Sequence, residues 1–242
     1  PPAGNLLMRW AFKRRDKQLH QYIKHMSAFV TLTHNDAKDW SDITPQARII
    51  PNMLHRYPAE ISPDKKTQKR IITAGRLVEQ KGYDLLLDAW SKVHQKHPEW
   101  ILDIYGEGED KTMLLEKRKN LALENSVLFH PPTLDIYQKY MDSDFYVMSS
   151  RFEGFGIPII EALYSGIPVV AATGSCLEEA GGPDSIYVHP DDIKGMANAF
   201  KQIYSDTERK KEMIEKGQTF AKRFSEEKQA EEILNIYKKL MK

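Results

Sequence analysis

Two glutamates flank a glycine-rich turn in the segment 151–163, which reads RFEGFGIPIIEAL. Glu153 comes before the turn at 154–156 and Glu161 comes after it, with seven residues between the two carboxylates. Pro158 suits the first turn of a helix, where its missing N–H is not needed. The segment is therefore typical of a loop that passes into a helix, with one carboxylate on each side of the turn.

The chemistry that this order favours is recognition of a diphosphate between two hydroxylated groups. A helix N-terminus offers free N–H groups and a partial positive charge, which suit a phosphate. Gly154 and Gly156 let the backbone approach a ligand closely. Glu161, about one turn into the helix, suits the paired hydroxyls of a ribose, and Glu153 is expected across the same pocket. Glycoside hydrolysis also uses paired carboxylates, but no second feature of the sequence supports that alternative.

A second set of candidate residues lies in GRLVEQKG, residues 75–82. Gly75 ends an apolar stretch, and Arg76 and Lys81 follow it as cations that can neutralise phosphate oxygens. Gly106, in the sequence Gly-Glu-Gly, follows the next apolar stretch and is expected to line the same cleft. These positions predict an anion site built from several loops.

The scaffold for these loops is predicted by the alternation of short β-branched segments with longer amphipathic ones. The predicted strands are 70–75, 100–106, 126–130, 144–150, 167–172 and 185–190. The predicted helices are 82–97, 110–123, 134–141, 157–166 and 193–206. This alternation favours an α/β fold, a doubly wound parallel sheet of the Rossmann-like kind, which binds ligands beyond the carboxyl ends of its strands. The site is therefore expected in the loops 75–82, 106–110, 130–134, 149–157 and 172–182.

The first sixty residues predict part of a second α/β domain. A basic amphipathic helix is expected at 6–26, and two strands are expected at 28–33 and 47–51 with a short helix between them. Two strands and two helices bury too little apolar surface to stand alone. The tail, 207–242, is expected to be helical.

Composition excludes several classes of function. The 35 Lys and Arg residues nearly balance 34 Asp and Glu residues, so there is no basic field for nucleic acid. One cysteine, Cys176, allows no internal disulfide framework, and no Cys/His spacing predicts zinc. No apolar run approaches the roughly 20 residues that span a bilayer. These features predict a cytoplasmic protein, and the basic segment at 6–26 fits either a solvated surface or peripheral contact with anionic lipid at the inner membrane face.

Three separated motifs resemble the C-terminal donor domain of the family 4 retaining glycosyltransferases, which have the GT-B fold. The motifs are GRLVEQKGYDLLLDAW, DIYGEGED and SSRFEGFGIPIIEALYSGIPVVA, in the expected order. The resemblance runs from about Thr44 to the end of the chain. It implies transfer of a sugar from a nucleoside-diphosphate sugar to a hydroxyl, with retention of anomeric configuration and without a metal or another cofactor.

The resemblance also implies a role for each candidate residue. The residue that matches Glu161 binds the ribose hydroxyls, and the residue that matches Glu153 contacts the transferred sugar. Those that match Arg76 and Lys81 hold the diphosphate, so Arg76, Lys81 and Glu153 are the candidate catalytic residues. Backbone amides at 155–157 would complete the phosphate site. The candidate substrate-binding residues are Gly75, Arg76, Lys81, Gly106, His130, Pro131, Glu153, Gly154, Phe155, Gly156, Ile157 and Glu161.

The chain departs from the family pattern in two places. Pro131 stands where the family usually carries a glycine and where the backbone reads the base, so UDP, GDP and ADP donors stay open. The acceptor domain of the family would come before residue 1. We therefore expect a remnant of that domain at 1–60, the donor domain at 61–225, and a helix at 226–242 that packs back toward the remnant.

The expected function is sugar transfer to a glycan, a lipid-linked acceptor or a lipopolysaccharide. The alternative is a nucleotide-sugar-binding module that is inactive without a separate acceptor domain. In either case self-association or a companion N-terminal segment is expected, because the predicted strands at 28–33 and 47–50 would expose an unpaired edge.

Overall fold

The computed structural model of the chain describes residues 18–44, 46–55, 57, 69–174 and 176–241. Its internal contacts divide the chain into two compact units. The smaller unit runs through Asn52 and resumes at Glu227, and the larger unit is Met53–Glu226. All the candidate site residues belong to the larger unit. The boundary expected at 60 lies outside the described residues, so the predicted domain limits stay predictions.

The smaller unit contains the elements expected near the start of the chain. They are α1 (18–24), β1 (Val30–Thr31), α2 (His34–Asp39) and β2 (Arg48–Ile49). The two strands pair in parallel, and each is only two residues long. The predicted basic helix is described only from residue 18, and its earlier part lies outside the described residues.

In the larger unit, six strands of the described chain form one parallel sheet. They are β3 (Lys69–Ala74), β4 (Trp100–Tyr105), β5 (Val127–His130), β6 (Phe145–Met148), β7 (Val169–Ala172) and β8 (Ile186–Val188). Their order is β5-β4-β3-β6-β7-β8. The chain order therefore reverses between β3 and β6, which is the point where doubly wound sheets bind ligands. The register places Ala74 opposite Tyr105 and Tyr105 opposite His130, so the carboxyl ends of β3, β4 and β5 meet at one edge.

Helices cover the sheet and form its core with it. They are α3 (Tyr83–His94), α4 (Lys111–Asn120), α5 (Ile136–Met141), α6 (Ile157–Tyr164), α7 (Leu177–Gly181), α8 (Ile193–Ser205) and α9 (Thr207–Ala221). The helix α10 (Glu226–Leu240) begins at the last residue of the larger unit and otherwise belongs to the smaller unit. Apolar residues at helical spacing place Leu86, Leu87 and Trp90 of α3 in the core, where all three are fully buried. No described helix is both long enough and apolar enough to cross a membrane.

The predicted α/β fold class is confirmed, and every strand and helix predicted between 70 and 206 is present. One helix was missed: α7 lies in the segment 172–182, which the sequence predicted as a loop. Its five residues are too few to show helical periodicity, and the glycines around it favoured a loop.

Candidate functional site

A cleft of about 490 Å³ opens at the carboxyl edge of the sheet, between the ends of β3, β4 and β5 and the first turns of α6. Four predicted site residues line it: Gly75, Arg76, Gly106 and Glu161. They come from three separate segments of the chain. Other lining residues that the sequence did not single out are Tyr105, Pro132, Thr133, Ile136 and Tyr140.

Two strand-end loops touch through their backbones at Gly75 and Gly106. A Cβ atom at Gly106 would collide with the carbonyl oxygen of Gly75, so only glycine fits there. The amide of Leu77 donates a hydrogen bond to the carbonyl of Glu107 at 2.8 Å, which joins the same two loops. The cleft wall is therefore continuous backbone between β3 and β4.

Lys81 and Glu153 form a buried ion pair beside this wall. The Lys81 Nζ donates to Oε1 of Glu153 at 2.5 Å, and the side chains are 15% and 9% exposed. The lysine stem passes the cleft glycine, because a Cβ at Gly75 would lie 3.4 Å from Lys81 Cε. The structure thus brings the predicted phosphate cation and the predicted sugar-binding carboxylate together, although they are 72 positions apart.

Arg76 is the second predicted cation, and it is exposed at the cleft. Within the described part of the chain its guanidinium forms no ion pair or hydrogen bond. The same part of the chain contains no group of three or more His, Cys, Asp and Glu side chains placed to hold a metal ion. Arg76 therefore lines the cleft as an unpaired cation, whereas Lys81 and Glu153 are not among the residues that line it and lie beside it as a pair.

Glu161 lies about one turn into α6, and its carboxylate is half-buried at the cleft. Burial raises the pKa of this carboxyl above its usual range, and a hydrogen bond from Tyr140 offsets part of that effect. The Tyr140 hydroxyl donates to Oε2 of Glu161 at 3.2 Å. Such a carboxylate gains from accepting further hydrogen bonds, and ligand hydroxyls can supply them.

The start of α6 presents unpaired backbone donors. Gly156 caps the helix in the left-handed conformation, with φ 100°, and Pro158 lies in the first turn. Among the described residues, no acceptor bonds the amides at 155–157. Gly154 is exposed, and a Cβ there would have no atom within 4 Å. This helix terminus therefore has unpaired donors of the kind that bind a phosphate, and the space beside Gly154 is open.

The turn before α6 is fixed by contacts behind it. The buried ring of Phe155 packs edge-on against Phe224 with the ring centroids 5.7 Å apart, so its side chain belongs to the core and only its amide can serve a ligand. The Cys176 thiol donates to the carbonyl of Glu153 at 3.0 Å from the start of α7. The helix that the sequence missed thus supports the turn that the sequence singled out.

The loop that carries Glu153 is also bonded to the loop after β3. Arg151 forms two parallel hydrogen bonds to Asp84, at 2.8 and 2.7 Å, and its amide donates to the carbonyl of Gln80 at 2.8 Å. The guanidinium of Arg151 holds the pKa of the Asp84 carboxyl below its usual range. Bidentate pairs of this kind fix orientation as well as distance.

His130 and Pro131 line a neighbouring cavity of about 540 Å³, not the cleft itself. His130 Nε2 lies 2.6 Å from Oδ1 of the buried Asp103, and its ring stacks on Tyr105 with the centroids 4.5 Å apart. The next two residues along the chain, Pro132 and Thr133, line the cleft. The candidates His130 and Pro131 therefore face this neighbouring cavity, and their predicted contact with the substrate stays a prediction.

Sequence reasoning missed two residues that orient the carboxylates. Ser150 donates to Oε1 of Glu153 at 2.7 Å, and its place three residues before the glutamate was the only signal for it. Tyr140 contacts Glu161 from 21 positions away, and no local pattern indicates that contact. Both depend on how α5 and β6 pack, which short-range periodicity does not encode.

The family described as glycosyl transferases group 1 matches residues 59–220. That match covers more than half of the chain. The chain belongs to this family. The match confirms the glycosyltransferase assignment at the level of this group. All the candidate site residues fall inside the matched segment.

Two relatives show how much of a longer protein the chain resembles. An uncharacterized glycosyltransferase of Haemophilus influenzae is 36% identical over 146 residues, which are 59% of this chain and 40% of that protein. The amylovoran biosynthesis glycosyltransferase AmsD of Erwinia amylovora is 40% identical over 120 residues, which are 50% of this chain and 33% of that protein. The chain thus matches at most 40% of the length of these two relatives.

Similarity to solved structures shows the fold. The crystal structure of Anabaena HepE in complex with UDP and glucose superposes with a TM-score of 0.81 at 20% identity, covering 92% of this chain and 66% of that one. The predicted GT-B type of α/β fold is confirmed by such neighbours.

Proposed function

We propose that this chain binds a nucleoside-diphosphate sugar and that the complete enzyme transfers the sugar, with retention of configuration, to an acceptor hydroxyl. The observation that carries the proposal is the arrangement at one sheet edge of two cations, a helix terminus with free amides, and two carboxylates. Arg76 and Lys81 lie on one side, and Glu153 and Glu161 lie before and after the turn. This arrangement matches a ligand with a diphosphate between two hydroxylated groups.

The diphosphate is assigned to the cationic side of the cleft. Arg76, Lys81 and the amides at 155–157 would donate to its oxygens. Negative charge develops on the diphosphate as its bond to the anomeric carbon breaks, so donors placed there stabilise the transition state more than the ground state. The cations and the helix terminus supply this charge without a divalent metal, which fits the expected absence of a cofactor.

The two carboxylates are assigned to the two ends of the donor. Glu161 would accept hydrogen bonds from the ribose diol, because it lines the cleft next to the base-side residues Pro132 and Thr133. Glu153 would accept from a hydroxyl of the transferred sugar. A hexose is the proposed sugar, and a glycan, lipid-linked or lipopolysaccharide hydroxyl is the proposed acceptor, in line with the amylovoran biosynthesis named for AmsD.

A second candidate function is a donor-binding module that needs an acceptor-binding segment supplied by a companion or a second copy. The placement of all the candidate donor-binding residues in the larger unit, Met53–Glu226, supports it. A transfer assay with nucleotide sugars, run beside light scattering, separates the two candidates. Turnover by a monomer supports the complete enzyme, whereas binding without turnover supports the module.

Calorimetry tests the proposed function directly. UDP, GDP and ADP, and then UDP-glucose and GDP-mannose, are titrated into the chain with and without EDTA. We expect one nucleoside diphosphate and the corresponding nucleotide sugar to bind. The affinity of each should be the same with and without EDTA. A strict magnesium requirement, or no binding of any of these ligands, would contradict the proposal.

A further inference from the structure

One oxygen of the Glu153 carboxylate is shared by two donors. Lys81 Nζ lies 2.5 Å from Oε1, and Ser150 Oγ lies 2.7 Å from the same atom. Among the described residues, none donates to the second oxygen, Oε2. The carboxylate is therefore anchored through one oxygen, while the other oxygen keeps its capacity to accept a hydrogen bond.

Of the two donors, Lys81 is the one that a ligand would draw away. Its ammonium ends a flexible four-carbon stem and lies beside the cleft, where a diphosphate offers more negative charge than one carboxylate does. The diphosphate also repels the carboxylate of Glu153, because like charges at short range are unfavourable. Donor binding therefore weakens the Lys81–Glu153 pair at the moment when Glu153 has to meet the sugar.

Ser150 cannot follow the ligand in this way. It is 2% exposed, and the residues on both sides of it are bonded to the loop after β3. The hydroxyl of Ser149 donates to the carbonyl of Lys81 at 2.9 Å, and the amide of Arg151 donates to the carbonyl of Gln80 at 2.8 Å. The backbone that carries the Ser150 hydroxyl is thus held in place.

We propose that Ser150 is a positioning residue that keeps Oε1 of Glu153 in place once Lys81 turns to the diphosphate. The remaining oxygen, Oε2, then accepts the sugar hydroxyl in a fixed direction. This inference rests on the proposed function, because it assumes that Glu153 contacts the sugar and that Lys81 contacts the diphosphate.

The test is a double-mutant cycle read out by calorimetry with UDP and UDP-glucose, or with GDP and GDP-mannose if the chain binds guanosine donors. Ser150→Ala should leave the affinity for the bare diphosphate within about twofold and weaken the nucleotide sugar by roughly tenfold, the loss of one hydrogen bond to a charged group. In a Glu153→Ala background, Ser150→Ala should have no further effect, because the residue it positions is gone. Ser126→Ala, which removes a buried hydroxyl bonded to Trp90 at 3.2 Å, is the matched control and should change neither affinity.

The outcomes separate this inference from the function on which it rests. A parallel loss of both ligands, no loss of either, or a full additional loss in the double variant overturns the role of Ser150 and leaves the proposed function standing. If the unmodified chain binds no nucleoside diphosphate at all, the proposed function fails and this inference fails with it.

Discussion

The hydroxyl of Tyr140 donates to Oε2 of Glu161 across 3.2 Å and so joins α5 to the first turns of α6 at the mouth of the cleft. Tyr140 is fully buried, and its position is fixed by edge-on packing against Tyr146 with the centroids 5.7 Å apart. The bond orients a carboxylate whose charged form is disfavoured by burial. The charged carboxylate of Glu161 is therefore destabilising in the ligand-free protein. A ligand that brings hydrogen-bond donors would reduce this cost.

Replacing Glu161 by alanine should lower the affinity for the nucleoside diphosphate and for the nucleotide sugar to the same extent. Loss of two charge-assisted hydrogen bonds to a ribose diol costs about 3 kcal/mol, or roughly a hundredfold in affinity. Calorimetry with UDP and UDP-glucose measures both values. Unchanged affinity for both ligands would show that Glu161 does not contribute to ligand binding.

Replacing Glu161 by glutamine should stabilise the ligand-free protein at neutral pH. Burial raises the pKa of Glu161 in the folded state, so the folded protein favours the protonated carboxyl more than the unfolded chain does. The native carboxyl is thus least costly at pH values below the ordinary glutamate range, and its cost grows as the pH rises through the raised pKa. Melting curves at pH 7.5 and pH 4 should show a higher Tm for Glu161→Gln at pH 7.5 and a smaller difference at pH 4; a difference that grows on acidification contradicts this account.

Replacing Glu153 by glutamine should increase the affinity for the bare nucleoside diphosphate and decrease the affinity for the nucleotide sugar. The substitution releases Lys81 from its 2.5 Å ion pair and removes a negative charge that repels the ligand, so UDP should bind about three- to tenfold more tightly. The sugar loses a charged acceptor and should bind less tightly relative to UDP. Asp88→Asn removes a carboxylate from a pair with Lys117 elsewhere in the larger unit and is the matched control, with no change expected. Weaker UDP binding by Glu153→Gln would contradict the competition for Lys81.

The two glycines of the turn should differ sharply in their tolerance of alanine. Gly156 has φ 100°, and a Cβ there would lie 2.8 Å from the side chain of Leu177, so Gly156→Ala should cost about 2 kcal/mol, or roughly 4–8 °C in Tm. Gly154→Ala meets no atom within 4 Å and should leave the Tm unchanged. Thermal unfolding of both variants checks this prediction. Equal Tm values for the two variants would contradict it.

The sequence predicted the scaffold well because periodicity reports which face of an element is buried. The strands and helices of the larger unit appear where alternating apolar segments placed them, and the loops after β3 and β6 meet at the edge where a doubly wound sheet binds ligands. The Lys81–Glu153 contact follows from that topology, since β3 and β6 are neighbours: Ile71 lies opposite Phe145.

Other parts of the site could not be predicted from the sequence. The carboxylate partners Ser150 and Tyr140 depend on side-chain packing between elements, and His130 turns to the buried Asp103 instead of lining the cleft. Periodicity says that a residue lies at a strand end but not toward which neighbour its side chain points. The helix α7 was not predicted because its five residues are too few to show helical periodicity.

The order of the sheet has a consequence for how the protein would acquire the proposed nucleotide binding during folding. The segment from β3 to β5 carries Arg76 and Lys81, and the segment from β6 to β8 carries Glu153 and Glu161. Within the sheet the two segments pair between β3 and β6. Each segment alone therefore lacks either the proposed phosphate cations or the proposed sugar-binding carboxylate. Contacts between such distant segments form late, because closing long loops costs chain entropy. In refolding experiments, nucleotide binding should therefore return only with the last cooperative step, after the separate halves have regained their helices.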